Sequence, residues 1–302
     1  MKKNIYSHVY QSIVNTLRYP IYRYGRSHPQ WLANYMYRCS FGRNINWDHP
    51  IEFNEKIRWM QFNTDTSIWT LLADKYTVRK YLKEKGYEHI LVKLLGKWDN
   101  ADDIDFGALP NSFVLKTNHG YGEVIVVKDK KNIDEKSIRE RMRTYLATPF
   151  GYETVEPHYL LIQPCILAEE YLPSDISFSK SILDYKFYCF GGQPVNCGVY
   201  YNRNIQTHET QCSFYDMNWH LHNEWKNPRK GAKSIEIPEP ENFDEMKNLC
   251  YELCKDFPFV RLDLYESNKK IYFGEFTFTP AACTGGSLNP SLFSKYGELI
   301  KI

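Results

Sequence analysis

What the chain lacks narrows it first. It has eight cysteines, Cys39, Cys165, Cys189, Cys197, Cys212, Cys250, Cys254 and Cys283, but no Cys-x-x-Cys pair, which argues against a structural zinc site. Cys250 and Cys254, four apart on an expected helix, read as a buried thiol face rather than half a metal site. No apolar run approaches the ~18 residues a membrane-crossing helix needs. The stretch after Lys2 and Lys3 also lacks an apolar run of signal-peptide length. A reduced, cytoplasmic protein is the expectation. No internal repeat is present. The net charge of the 302 residues is only +2, too small for a polycation that coats nucleic acid, so no nucleic-acid partner is expected.

What is present is globular: 43% hydrophobic and 25% charged residues, enough for one large domain or two to three packed subdomains. Aromatic residues make up 16%, a share that suits half-buried surfaces and polar-ligand clefts. The charge is unevenly spread. Residues 1–47 hold seven bases and no acid, so the +2 of the whole divides into a +7 arm and a −5 body. Tyrosines and Trp31 interleave with those bases, as amphipathic rings do at membrane interfaces or on nucleic-acid surfaces; the alternative is a helix pair packed on the body.

Periodicity predicts helices over 53–62, 71–85, 134–146, 243–254 and 291–299. Strands are predicted over 90–95, 112–117, 123–127, 166–171, 183–190, 195–200, 259–265 and 270–278. Hairpins are frequent and no regular βαβ beat appears, so the class is α+β. The expected division is a basic, aromatic, helical N-terminal region (1–70), a small subdomain with its lead-in (71–172) and a larger subdomain (173–302).

Three constellations carry chemistry. Arg261-x-Asp263 and Glu275-x-Thr277 occupy the two strands of a predicted hairpin, which sets Asp263 and Glu275 side by side within apolar runs. Buried acids need partners, and a hard cation, Mg²⁺ or Mn²⁺, would suit two oxygen donors. Lys116 ends an apolar strand just before His119-Gly120-Tyr121-Gly122, a loop able to cover a phosphate with backbone N–H groups. Lys186 shares a strand face with Asp184, and a simple pair between them is the plainer reading. Arg203, after the following strand, is a candidate clamp for a substrate carboxylate or phosphate.

In this order, the blocks FNEKIRW (53–59), ADKYTVR (73–79), 96–122, AEEYL (168–172), DYKFYCFGGQP (184–194), FPFVRLDLY (257–265) and IYFGEFTFTP (271–280) resemble the TupA-like branch of the ATP-grasp superfamily, found in capsule and teichuronopeptide loci. The resemblance implies two α+β subdomains clasping ATP and a carboxylate-amine ligase working through an acyl phosphate. It implies that Lys116 and the loop His119, Gly120, Tyr121 and Gly122 contact the phosphates. Glu169, Glu170, Tyr171 and Leu172 would form the adenine and ribose hinge, and Lys186 would approach the terminal phosphate. Arg261 would stabilise transferring charge, with Asp263 and Glu275 as magnesium ligands. Thr277 stands where many relatives have asparagine, which weakens a second metal position. The implied substrates are a sugar acid and an amine or amino acid. The alternatives are a nucleotide-sugar glycosyltransferase, whose Asp-x-Asp would be Asp103-Ile104-Asp105, and a non-catalytic membrane-surface module. Peripheral association at the inner membrane face, through residues 1–47, is compatible with all three.

Overall fold

A computed structural model describes residues 19–302 apart from 175, 205, 206, 208, 232 and 233. The part of the basic arm before residue 19 lies outside the described residues. Two antiparallel sheets organise the rest. The first has four strands, β1 (Leu94–Trp98), β2 (Phe113–Thr117), β3 (Val124–Val127) and β4 (Ile166–Glu170), in the order β1-β4-β2-β3. Along β2 the side chains of Phe113 and Leu115 point one way and those of Val114 and Lys116 the other, the period-two alternation of any strand. The Phe113 face packs on Ile138 and Met142 of the helix Glu135–Ala147. Asp134 caps that helix by accepting from the Ser137 N–H at 3.1 Å.

The second sheet has five strands: β5 (Asp184–Phe190), β6 (Gln193–Tyr201), β7 (Gln211–Tyr215), β8 (Val260–Ser267) and β9 (Lys270–Thr277), ordered β7-β6-β5-β8-β9. Its central strand, β5, is buried along its whole length, because both faces are covered. Phe187 stacks on Phe243 of the helix Phe243–Cys254, whose Cys250 and Cys254 are fully buried, as the spacing of those thiols predicts. Alternation leaves Asp184 and Lys186 of β5, Arg261 and Asp263 of β8, and Glu275 and Thr277 of β9 for the other face. The turn Gly191-Gly192 that joins β5 to β6 needs glycine at its second position, where φ is +80° and a Cβ would lie 2.7 Å from Lys255 Cα.

Aromatic rings bind the helices to this sheet. Phe53, at the start of the helix Phe53–Asn63, meets Phe259 edge-on at 4.8 Å and lies near Phe190, Phe293 and Tyr296. Helix Phe53–Asn63 begins with a reciprocal capping box between Glu52 and Glu55. Among the described residues no helix is long and apolar enough to cross a membrane.

The helix expected over 71–85 is two helices, Ser67–Ala73 and Thr77–Glu84. Asp74 breaks it: its Oδ1 accepts from the Tyr76 N–H and from Asn118 Nδ2, each at 2.8 Å, competing with helical bonding. The strand expected over 90–95 is instead a 3₁₀ turn, Glu88–Ile90, with β1 starting at Leu94. Strand β7 was not anticipated. In the arm, residues 19–27 are helical and lead through His28 into the helix Pro29–Phe41.

Helix Phe293–Leu299 leans on the chain just before Phe53, and a Cβ at Gly297 would lie 2.0 Å from the Ile51 carbonyl oxygen. Gly297→Ala should therefore force the two apart and cost about 1–3 kcal/mol. A urea unfolding midpoint equal to the wild-type value would refute that close approach.

Candidate functional site

The site lies where the inward face of the five-stranded sheet meets the Lys116 loop of the four-stranded one. On the first side, the Lys116 ammonium reaches Glu169 of β4 at 2.5 Å, and Arg79 reaches the other oxygen of the same carboxylate at 3.2 Å. Arg79 also donates to the Val92 carbonyl at 2.6 Å. Residues 118–123 turn back over this end of the sheet. Asn118 anchors them, donating to Asp74 at 2.8 Å and to the Gln163 carbonyl at 2.9 Å, and accepting from the Cys165 N–H at 2.7 Å. His119 is buried, with Nε2 3.2 Å from the Thr148 carbonyl and Nδ1 without a hydrogen-bond partner. A Cβ on Gly120 would meet the Glu123 carboxylate at 2.1 Å, so that flexible side chain would have to move aside, while Tyr121 is exposed. Glu170 is exposed, and Tyr171 receives the Lys128 ammonium over its ring at 5.8 Å. Leu172 is half-buried.

On the second side, register brings charges together. Lys186 of β5 faces Asp263 of β8, which faces Glu275 of β9. Lys186 bonds to Asp263 and sits 2.7 Å from Asp184, so the plain pair expected from the sequence exists and is extended. Arg261 holds Asp263 through two bonds, Nε at 2.6 Å and a terminal nitrogen at 2.7 Å. That same nitrogen reaches Glu275 at 3.3 Å and the Thr277 hydroxyl at 2.9 Å. Arg203 reaches Asp184 at 3.1 Å, leaving Asp184 Oδ1 buried with no hydrogen-bond partner.

Lys75, which sequence reasoning passed over, links the two sides. The break after Asp74 turns it inward: its backbone N–H donates to the Asn118 carbonyl at 3.2 Å and its ammonium to the Gly120 carbonyl at 2.8 Å. Burial lowers its pKa, Glu275 of the opposite sheet opposes that shift, and nearby Lys116 adds to it. Arg79 was also missed as a site residue. Both lie in the block ADKYTVR, and the only sequence signal for them was an aspartate within an otherwise helical pattern.

The carboxylates diverge electrically. Burial pushes Asp263 up to about 6, partly offset by Arg261 and Lys186, with Asp184 and Glu275 adding repulsion. Burial also works against Glu275, yet Lys75, Lys186, Arg261 and Arg203 outweigh it and hold the carboxyl at about 2. Among the described residues no group of three or more histidines, cysteines or acids has the geometry of a complete metal site. Two carboxylates and a hydroxyl nonetheless match Mg²⁺, which is commonly bound by one or two carboxylates plus water and substrate phosphates. Asp103 ends a 3₁₀ turn and Asp105 accepts from the Ala108 N–H at 3.2 Å, so the Asp-x-Asp alternative serves a turn.

One further group shapes the site from behind. Arg58, almost wholly buried, donates to the carbonyls of Thr154 at 2.9 Å and Ala282 at 2.6 Å, and also to that of Val155. Val155, Ala281 and Ala282 all have φ near +50°, a strained region for side-chain-bearing residues. Between the strained stretches, Thr279 donates to the buried Glu156 at 2.5 Å.

Glu275 gives a pH test. Its folded pKa lies below the unfolded value near 4.5, so its contribution is present above that value and lost as pH falls toward 2. The side chain is 30% exposed, and solvent screening reduces the effect to about 1–2 kcal/mol. The stability deficit of Glu275→Gln relative to wild type should shrink by that amount as pH falls from about 5 to about 2. A deficit independent of pH in urea titrations would contradict the assignment.

Comparison with known proteins places this geometry. A family model described as TupA-like ATPgrasp matches residues 55–301. No curated protein matches the chain. Among solved structures, D-alanine–D-alanine ligase from Bacillus anthracis is 17% identical with a TM-score of 0.46, covering 76% of this chain and 66% of its own; it has also been captured with ATP. The ATP-grasp ligase PsnB, bound to a minimal precursor, is 13% identical at a TM-score of 0.39, covering 74% of this chain and 60% of its own. A further PsnB structure contains Mg and ADP. Phosphoribosylamine–glycine ligase from Thermotoga maritima is 11% identical at 0.39, covering 72% and 52%. The chain thus spans two thirds or less of the length of these structures. With a family match running from the first helix turn after Phe53 almost to the last residue, the chain belongs to the TupA-like ATP-grasp family.

Proposed function

We propose that the protein is an ATP- and Mg²⁺-dependent carboxylate-amine ligase that joins an amine or amino acid to a sugar acid in surface-polysaccharide assembly. The observation that carries the ligase reading is the concentration of five cationic side chains, Lys75, Lys116, Lys186, Arg203 and Arg261, around one cleft that also presents Asp263 and Glu275. Bringing a carboxylate to the γ-phosphate of ATP sets anion against anion, and fixed positive charge in a desolvated site is what lowers that barrier. The sugar-acid and polysaccharide part rests on the family resemblance.

In this reading Lys75 and Lys116 hold the inner phosphates under residues 119–122, while Lys186 and Arg261 face the phosphoryl group in flight. The substrate carboxylate oxygen bonds to the γ-phosphorus as the bond to ADP breaks. The amine nitrogen then bonds to the acyl carbon, phosphate leaves, and the amine loses a proton. Asp263, Glu275 and Thr277 would hold Mg²⁺, which supplies charge neutralisation between the phosphates. Closing of the 119–122 loop would exclude water that otherwise hydrolyses the acyl phosphate. Arg203 is the candidate clamp for the substrate carboxylate, and residues 169–172 are the candidate nucleoside hinge.

Purified protein should release ADP and phosphate only when Mg-ATP, a sugar acid and an amine are all present. Lys116→Met or Arg261→Met should lower kcat/KM by about 10²-fold or more. Mg-ATP at about 100 times its Kd should add about 2.7 kcal/mol of stability. Release of UDP from a sugar nucleotide, with no ATP turnover, would establish the glycosyltransferase instead. An unmoved thermal midpoint with saturating Mg-ATP would favour a non-catalytic module.

A further inference from the structure

We infer that the aromatic outer face of the N-terminal helices docks on an anionic lipid bilayer. This goes beyond the ligase reading and stands independently of it. The helical residues 19–27 and the helix Pro29–Phe41 bury one side: Leu32, Ala33 and Tyr37 pack with Ile45 and Val155, flanked by Ile21, Tyr22 and Met36. The opposite side is rich in rings. Tyr19 is 64% exposed, Tyr24 48%, Trp31 43% and Tyr35 38%. The rings of Tyr24, Trp31 and Tyr35 touch in series: Tyr24 meets Trp31 edge-on at 4.9 Å, and Trp31 stacks on Tyr35 at 5.7 Å. Arg23, Arg26 and Arg38 are exposed on the same segment, and Arg26 extends over the ring of Tyr152, itself part-exposed, at 4.7 Å. No acidic residue precedes Asp48.

Charge and ring geometry together select the partner. A surface with bases and no acids is complementary to an anion. Tyr and Trp, apolar in body and polar at the tip, are the residues that settle at a bilayer interface, and a helix with one ring-rich face can lie in that plane. Single-stranded nucleic acid would ask for open ring faces on which bases stack. Here Tyr24 already stacks on His28 at 4.0 Å and 8°, and Trp31 on Tyr35 at 12°, so one face of each of these rings is already occupied. Val155, in the core under these helices, immediately precedes Glu156, which bonds to Thr279 beside β9.

The test uses the full-length protein without ATP, so that its failure leaves the ligase reading untouched. Vesicles of phosphatidylcholine alone and of phosphatidylcholine with phosphatidylserine are sedimented with the protein at low and high salt. Binding is expected only with phosphatidylserine, and salt should weaken it. Replacing both Arg23→Gln and Arg26→Gln should lower the partition coefficient about thirtyfold. Trp31→Ser should lower it too, with an unchanged circular dichroism spectrum. Binding to both vesicle types alike, binding to neither, variants that partition like wild type, or tight binding of a single-stranded oligonucleotide in place of vesicles would each overturn the inference.

Discussion

Everything at the site depends on the pairing of Asp263, a carboxylate with no solvent exposure in the middle of a sheet, with Arg261 and Lys186. An ion so buried and unpaired would cost several kcal/mol, enough to threaten the fold. Two cations in contact offset part of that penalty, and each is supplied by a strand whose register is set by the apolar face on the other side. The same logic governs Glu169, which answers both Lys116 and Arg79. These acids thus hold the site's cations in place while leaving positive charge in excess. In the proposed reaction an arriving polyphosphate would compete with Asp263 and Glu169 for cations those acids already hold, so affinity for the nucleotide would be the difference between two sets of charge-assisted bonds. That arrangement favours ligands that bring several anionic oxygens at once and disfavours single-charge ions, which would gain too little to displace a bidentate carboxylate.

Such an exchange works only if the backbone holds still while partners change. Two devices serve that end. Asn118 is bonded through both ends of its amide to Asp74, Gln163 and Cys165, tying the loop beneath Lys75 to both the helix break and β4. Arg58 gathers the carbonyls of Thr154, Val155 and Ala282, whose neighbourhood has left-handed backbone that would otherwise relax. A guanidinium suits this role better than an ammonium, since its planar fork reaches several carbonyls in fixed directions.

Much of this was legible in the residues themselves. The Asp263 and Glu275 pairing follows from alternation across a short hairpin, and the structure pairs them directly in register. The Lys186 and Asp184 contact follows from their i, i+2 spacing on one strand. What alternation could not show is that Asp263 would be satisfied first by Arg261 and Lys186, because partner choice depends on distances between strands that are remote in sequence. Lys75 was hidden for a different reason. The pattern from Leu71 to Lys85 is helical in its apolar spacing, and the break there comes from Asp74 accepting both the Tyr76 N–H and the remote Asn118 amide, the second of which no local pattern reveals. Arg58 was hidden inside a convincing helix, since a polar residue on the apolar face has no periodic signature.

The uneven charge of the chain finds its structural meaning in the contact between arm and body. The helices of the arm do not form a separate appendage: Leu32, Ala33 and Tyr37 share a small core with Val155, and Arg43 pairs with Glu52 at the cap of helix Phe53–Asn63. Val155 lies on the segment that Arg58 clamps, one residue before Glu156. The described part of the arm is thus joined through packed apolar side chains and a buried guanidinium to the backbone beside β9, the strand that carries Glu275 and Thr277. A packed connection of this kind would fix the orientation of the site relative to a surface that the arm docks on. A flexible linker of similar length would provide only proximity. For an acceptor confined to a surface, orientation is the stricter requirement, because transfer needs the reacting atoms aligned and not merely near.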